Sequence, residues 1–403
     1  MVDYASLFSN NLPRSVSMPQ GSNDRVKYIF SITNAVPEVI SARKYLDAIG
    51  AGLESGGPES LAAYPPPTGH NGLRELVAER LAANRGFHAS PDDVFISDGA
   101  GGAISIILDS FINPGDAILV EEFTYMGSLR MMLERGAEPI HILCDEDGML
   151  PDALEETLAS LADVGRRPKF VWMIPVYQNP LGFTPSESRR RALLDIAQRY
   201  NAPVLENESY ADFRIDGDPL PTAFSGLSDQ GDVMYVSSFT KLLGCGLRVG
   251  FGVLPPGVRE ALPQVNAENL PRRGVSHLAT MMVYEYLREH EAEHIETVRS
   301  ALQVRRDAML EALERDFPSF CEWTHPQGGM LVFVRLPEGA DTWATLPKAT
   351  ARDVKYNPGG VFRADRGRNN HLRLTYSHNS PEEIREGVAR LAELFREEGY
   401  FEG

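Results

Sequence analysis

The sequence predicts an α/β protein layered around a mostly parallel central sheet, with a smaller α+β domain towards its C-terminal end. Three features carry this. Helical and strand patterns alternate through the middle of the chain, the strands are short apolar runs, and each is separated from the next by a stretch long enough for a crossover connection. The last quarter then changes to a long charged helix followed by separate strands and a terminal amphipathic helix.

Residues 1 to about 30, rich in Ser, Asn and Pro, show no sustained period and read as an arm. L-R-E-L-V-A-E-R-L-A-A-N-R-G (73–86) has helical spacing and a glycine stop. D-V-F-I-S-D-G reads as a buried strand entering a glycine-rich turn, A-I-S-I-I-L-D-S-F (103–111) as the helix that follows, and A-I-L-V-E (117–121) as the next strand. K-F-V-W-M-I-P-V-Y, A-P-V-L-E-N-E and D-V-M-Y-V-S-S-F continue the series. A charged helix near 288–316 precedes the strands L-V-F-V-R-L and H-L-R-L-T-Y-S. The expected division is an arm and small-domain segment over 1–55, a large domain over 56–290 and a small domain over 291–403.

Composition narrows the function. With 403 residues, 43% hydrophobic and 24% charged, the chain has a globular composition, and its net charge of -17 disfavours nucleic acid or an anionic membrane as partner. No apolar run approaches the roughly 20 residues of a membrane span, and no signal sequence is evident, so the expected location is the cytoplasm. Cys144, Cys245 and Cys321 are too scattered for a disulfide framework, and no metal site is expected.

Open α/β sheets bind ligands beyond the carboxyl ends of their strands. Asn179, Asn207, Tyr210, Ser238 and Lys241 all follow strands and are expected to converge there. S-S-F-T-K-L-L-G-C-G-L-R-V-G (237–250) is the most informative stretch. Its hydroxyls, arginine and glycine-flanked backbone suit a dianionic phosphate, and a lysine beside them can form a Schiff base with a carbonyl.

Six motifs in order widen this reading: Y-P-P-P-T-G-H-N-G-L-R-E, F-T-Y-M-G, Y-Q-N-P-L-G, S-S-F-T-K, H-P-Q-G-G-M-L-V-F-V and N-N-H-L-R-L-T-Y-S. Together they resemble the class I/II aminotransferases, fold-type-I enzymes that use pyridoxal phosphate, and in particular the 2-aminoadipate and kynurenine aminotransferase branch. The resemblance implies a three-layer fold and a homodimer with shared active sites. It makes Lys241 the Schiff-base lysine and proton carrier. Ser238, Arg248 and the Gly99-Ala100-Gly101 turn would hold the phosphate, with Tyr64 supplied by the neighbouring subunit. Tyr125 would stack on the pyridine ring, Asn179 and Tyr210 would meet its 3-oxygen, and Arg373 would clamp the substrate carboxylate with Asn179 and Asn34 nearby.

The chain departs from that family in three places. Where the family has an aspartate that keeps the pyridine nitrogen protonated, this chain has Asn207, between Glu206 and Glu208. Neither glutamate can replace it, because neighbouring side chains on a strand point to opposite faces. An amide can donate a hydrogen bond to an unprotonated nitrogen, which leaves the ring a weaker electron sink. The phosphate turn is G-A-G-G, without a hydroxyl, and T-N-A-V-P puts Asn34 and Ala35 where the family has glycines.

The expected function is amino transfer from an α-amino acid or amino-acid conjugate. The rival on the same cofactor is a lyase, oxidative deaminase or decarboxylase of specialised metabolism. A ligand-sensing effector domain of a DNA-binding regulator is a third class; no winged-helix domain is expected before residue 30, and the charge is wrong for one. Arg272 and Arg273 are candidates for an acidic or phosphorylated substrate side chain, or an exposed basic pair.

Overall fold

A computed structural model describes residues 2, 26–262 and 275–401. Most of the expected arm, and the Arg272–Arg273 pair, lie outside the described residues. Seven strands form the central sheet: β1 (Val94–Ser97), β2 (Ala117–Glu121), β3 (Glu138–Ile142), β4 (Val171–Met173), β5 (Val204–Asn207), β6 (Val233–Ser238) and β7 (Gly250–Val253). Their order is β1-β7-β6-β5-β4-β2-β3. β3, β2, β4, β5 and β6 pair in parallel, while β7 runs antiparallel to both of its neighbours.

β3 and β7 were not expected from sequence. β3, E-P-I-H-I, carries a proline and polar residues at the sheet edge, where an apolar run is not required. β7, G-F-G-V, has glycines because its neighbours crowd it. A Cβ on Gly250 would stand 2.4 Å from the Gly99 carbonyl carbon, and one on Gly252 2.4 Å from the Phe95 ring.

Helices cover both faces, as the resemblance implied. We label α1 (Ala42–Gly56), α2 (Asn71–Arg85), α3 (Gly99–Phe111), α4 (Met126–Glu134), α5 (Pro151–Asp163) and α6 (Glu187–Arg199). Ile104 and Ile107 of α3 bury against Val120, Trp172, Leu205 and Val236 on one face. Leu154 and Leu158 of α5, with Leu193 and Leu194 of α6, cover Leu119, Val171 and Val204 on the other. The alternation along β5 therefore separates its side chains between two helical layers.

α7 (His277–Asp316) spans 40 residues and begins earlier than its charge pattern suggests. Its first turns, with Met281, Met282, Val283, Tyr286 and Leu287 buried, lack that pattern because they lie inside the molecule. Residue 290, the expected boundary between large and small domains, lies within this helix. Beyond it, β8 (Glu322–Trp323), β9 (Leu331–Arg335), β10 (Asn357–Pro358) and β11 (His371–Thr375) form an antiparallel sheet in the order β8-β9-β11-β10. Near the start of the chain, Tyr28–Ile29 pairs with Val354–Lys355.

Candidate active site

The E-N-E sequence at the end of β5 divides between the faces as alternation requires. Glu206 accepts the N–H groups of Phe224 (3.0 Å) and Ser225 (2.8 Å) and the Ser225 hydroxyl (2.6 Å). Glu208 accepts a two-pronged bond from Arg85 (2.6 and 2.7 Å), with Arg190 at 3.4 Å and the Tyr235 hydroxyl at 3.1 Å. Burial penalises the Glu208 charge, but the two arginines outweigh it and hold the carboxyl below its ordinary range. Burial, together with the Glu208 charge, pushes Glu206 up. Both carboxyls are thus committed to the protein's interior.

Asn207 lies on the other face, with Leu205 and α3. It pairs in register with Val236, two residues before Ser238 on that face of β6. Its Oδ1 accepts the Ser209 N–H (3.2 Å) and hydroxyl (2.6 Å). Its Nδ2 has no partner among the described residues.

Next to it, Lys241 stands on a one-turn helix, Thr240–Leu243, directly after β6. Its Nζ donates to the Thr33 carbonyl and lies 3.8 Å from Cys245 Sγ. The Ser238 hydroxyl donates to Thr240 Oγ1 (2.7 Å) and accepts the Thr240 N–H (3.0 Å). Arg248 adopts a positive φ of 54° and donates to Asp98 through Nε and Nη2 (each 3.1 Å). That aims it at the start of α3, where a Cβ on Gly99 would meet Arg248 Nη2 at 3.1 Å and Thr240 Oγ1 at 3.2 Å. The helical ladder of α3 begins with Gly102 donating to Asp98 O, so the N–H groups of Gly99, Ala100 and Gly101 have no helical acceptor.

The third part of the site comes from the small sheet. Arg373 of β11 is only 2% exposed, yet it pairs with no carboxylate among the described residues. Its Nη1 donates to Asn179 Oδ1 (3.0 Å), its Nη2 to the Ser31 carbonyl (2.7 Å), and its buried Nε has no partner. The guanidinium sits over the Phe362 ring, 5.1 Å from its centroid. Asn179 Nδ2 in turn donates to the Tyr210 hydroxyl at 3.4 Å. Burial lowers the pKa of Arg373, with Tyr210 and Tyr125 the phenols near enough to oppose this. The Tyr125 ring folds over Gly127 at the start of α4 and remains 37% exposed. Asn34 is half-buried beside Thr33. Tyr64 stands apart from this cluster, 80% exposed on its own chain.

The family model for aminotransferases of class I and II matches residues 32–391. The chain belongs to that family. Aromatic-amino-acid aminotransferase 1 of Thermococcus litoralis is 36% identical over 338 residues, which are 83% of this chain and 80% of that protein. Among solved structures, the kynurenine aminotransferase of Pyrococcus horikoshii, in complex with PMP, superposes with a TM-score of 0.89 at 31% identity, covering 98% of each chain. The α-aminoadipate aminotransferase of Thermus thermophilus, complexed with N-(5'-phosphopyridoxyl)-L-leucine, gives 0.87 at 30% identity, covering 98% of this chain and 99% of that one. This aminotransferase is accordingly a pyridoxal-phosphate enzyme of fold type I.

Its donor set fits that cofactor. Free N–H groups at the start of α3, the Ser238 hydroxyl and Arg248 offer a dianion what it needs, and Lys241 offers an amine. The unpartnered Asn207 Nδ2 offers a donor to a ring edge.

Several residues of the aminotransferase's cleft escape sequence reading: Ser31 and Thr33 through their carbonyls, Thr240, Asp98 and Ser209. Glu121 is another, at the end of β2. It accepts Ile174 N–H (2.7 Å), Gln178 Nε2 (3.1 Å) and the Thr124 hydroxyl (3.2 Å), and so holds the loop that carries Asn179. Burial pushes its pKa from the ordinary 4.5 to about 7. Between those values the folded chain keeps a proton that the unfolded chain has lost, so this group's contribution to stability falls as pH rises through the window. Urea unfolding midpoints of the native chain and Glu121→Gln, compared from pH 4.5 to 7.5, are expected to differ by that slope. A difference that does not change with pH would refute the assignment.

Proposed function

We propose that this aminotransferase moves the amino group of an α-amino acid to an oxo acid, with Lys241 carrying the proton and Arg373 binding the substrate carboxylate. The observation that carries the proposal is Arg373: a buried guanidinium that pairs with no carboxylate among the described residues, with an unpartnered Nε, calls for an anionic ligand. Asn179 bridges it to Tyr210, so a bound carboxylate would lie beside the group that meets the cofactor's 3-oxygen.

Pyridoxal phosphate, when bound, supplies a carbonyl that takes up the amino group and a ring that acidifies the substrate Cα–H. Ser238, Arg248 and the N–H groups of Gly99, Ala100 and Gly101 would hold its phosphate, Tyr125 would stack on its ring, and Asn207 would donate to its nitrogen. The Lys241 amine would take up the proton of the donor's Cα–H and give a proton back to Cα of the acceptor. Asn34 borders the carboxylate end. Phe362, under the Arg373 guanidinium, gives that end of the site an apolar floor.

A homodimer is part of the proposal. Ile32, Leu46, Leu61 and Tyr64 are all more than half exposed on the single chain, and a second copy would cover them while lending Tyr64 to the phosphate. The free thiols Cys144, Cys245 and Cys321 support a reducing, cytoplasmic setting. We retain residues 1–55, 56–290 and 291–403 as working domains, joined through α7.

Product analysis tests the reaction. A panel of amino acids incubated with the holoenzyme should yield oxo acid in equal amount to the amino acid formed from 2-oxoglutarate, and no sustained product without an acceptor. Release of ammonia, carbon dioxide or a side-chain fragment with no acceptor present would overturn amino transfer.

A further inference from the structure

We propose that Ser209 is a positioning residue that fixes the Asn207 amide so that it can only donate towards the cofactor's ring nitrogen. The inference rests on the reading above that Asn207 faces that nitrogen.

A carboxamide can turn over and present either its oxygen or its NH2 group, so its orientation must be set by its neighbours. Ser209 sets it twice. Its main-chain N–H can only donate, and it lies 3.2 Å from the Asn207 side chain, so the atom it meets must be Oδ1. Its hydroxyl donates to the same oxygen at 2.6 Å. Two donors occupy both lone pairs of Oδ1. A reversed amide would set NH2 against the Ser209 N–H, donor against donor. Nδ2 is left as the only group of Asn207 free to meet a ligand, and a ring nitrogen facing an N–H must offer its lone pair.

The backbone under this pair is held independently. The Glu208 N–H donates to Val236 O (3.0 Å), and the Ser237 hydroxyl donates to Glu208 O (3.1 Å). The Glu208 side chain is pinned by Arg85 on the opposite face. E-N-E-S therefore splits the work: Glu208 anchors the strand end and Ser209 aims the amide. Polarisation of the amide by two donors at Oδ1 also makes Nδ2–H a better donor to an unprotonated nitrogen.

The test is solid-state NMR of holoenzyme loaded with cofactor labelled with 15N at the ring, titrated with pH, for the native chain, Ser209→Ala, Ser209→Thr, Ser209→Pro and Asn207→Asp. The native chain and Ser209→Thr should both show an unprotonated ring nitrogen. Loss of the hydroxyl in Ser209→Ala should raise the protonated fraction roughly three- to tenfold at a given pH, the effect of one hydrogen bond. Ser209→Pro, which removes both donors, should raise it further, and Ser209→Ala carries the test alone should the proline chain fail to fold. A Ser209→Ala titration identical to the native one, while Asn207→Asp protonates the nitrogen, overturns the role of Ser209 and leaves Asn207 in place. A nitrogen already protonated in the native enzyme, or unmoved by Asn207→Asp, overturns the reading of Asn207 and the proposal with it.

Discussion

Lys241→Ala is expected to lower turnover by at least ~10³-fold while the protein still binds pyridoxal phosphate. The residue is placed for it: Lys241 follows β6 by one helical turn, and its Nζ reaches across the cleft to the Thr33 carbonyl. The groups proposed to hold the phosphate, Ser238, Arg248 and the first residues of α3, do not depend on that amine, which is why binding should survive. Borohydride reduction of the native holoenzyme followed by peptide mass analysis should find the cofactor fixed to Lys241 and no other lysine. Attachment at Lys44, Lys169 or Lys355 instead would refute the assignment, as would a Lys241→Ala variant with native turnover.

Why this lysine stands out in the sequence, and other parts of the candidate site do not, follows from the range of the contacts. Ser238, Lys241 and Arg248 lie within one short stretch, and Asn179, Asn207 and Tyr210 each follow an apolar run that reads as a buried strand. Position alone brings them to one sheet edge. Ser31 and Thr33 contribute carbonyl oxygens, which leave no trace in side-chain type, and Ser31 meets Arg373 from 342 positions away. Ser209 had the signal in view, since a hydroxyl two residues beyond a strand-end amide can bond back to it. The strands missed in the sheet have equally local reasons. Gly250 and Gly252 erase the apolar pattern of β7 because the backbone of Gly99 and the Phe95 ring fill the space of their side chains. The apolar beginning of α7 is likewise silent in charge because it packs inside.

Arg373→Ala is expected to weaken substrate capture without loss of the cofactor. The guanidinium is buried against Phe362 and spends two donors on Asn179 and the Ser31 carbonyl, so it is held in place before any ligand arrives. Burial disfavours its charge, and a substrate carboxylate would relieve that cost. Removing one member of such a buried charge pair costs about 2–5 kcal/mol, or roughly 30- to 5,000-fold in kcat/KM. Arg373→Lys should recover only part of the loss, since a point charge cannot reproduce the planar fork. The holoenzyme should retain its cofactor as the native chain does, because Arg373 touches Asn179 and not the groups proposed to hold the phosphate. Thermal stability should not fall to match the kinetic loss, because the variant removes a buried charge that the free protein leaves uncompensated. Kinetics unchanged with the preferred amino acid would show that the carboxylate binds elsewhere. A loss confined to kcat, with KM unaffected, would assign Arg373 to the chemical step instead of to binding.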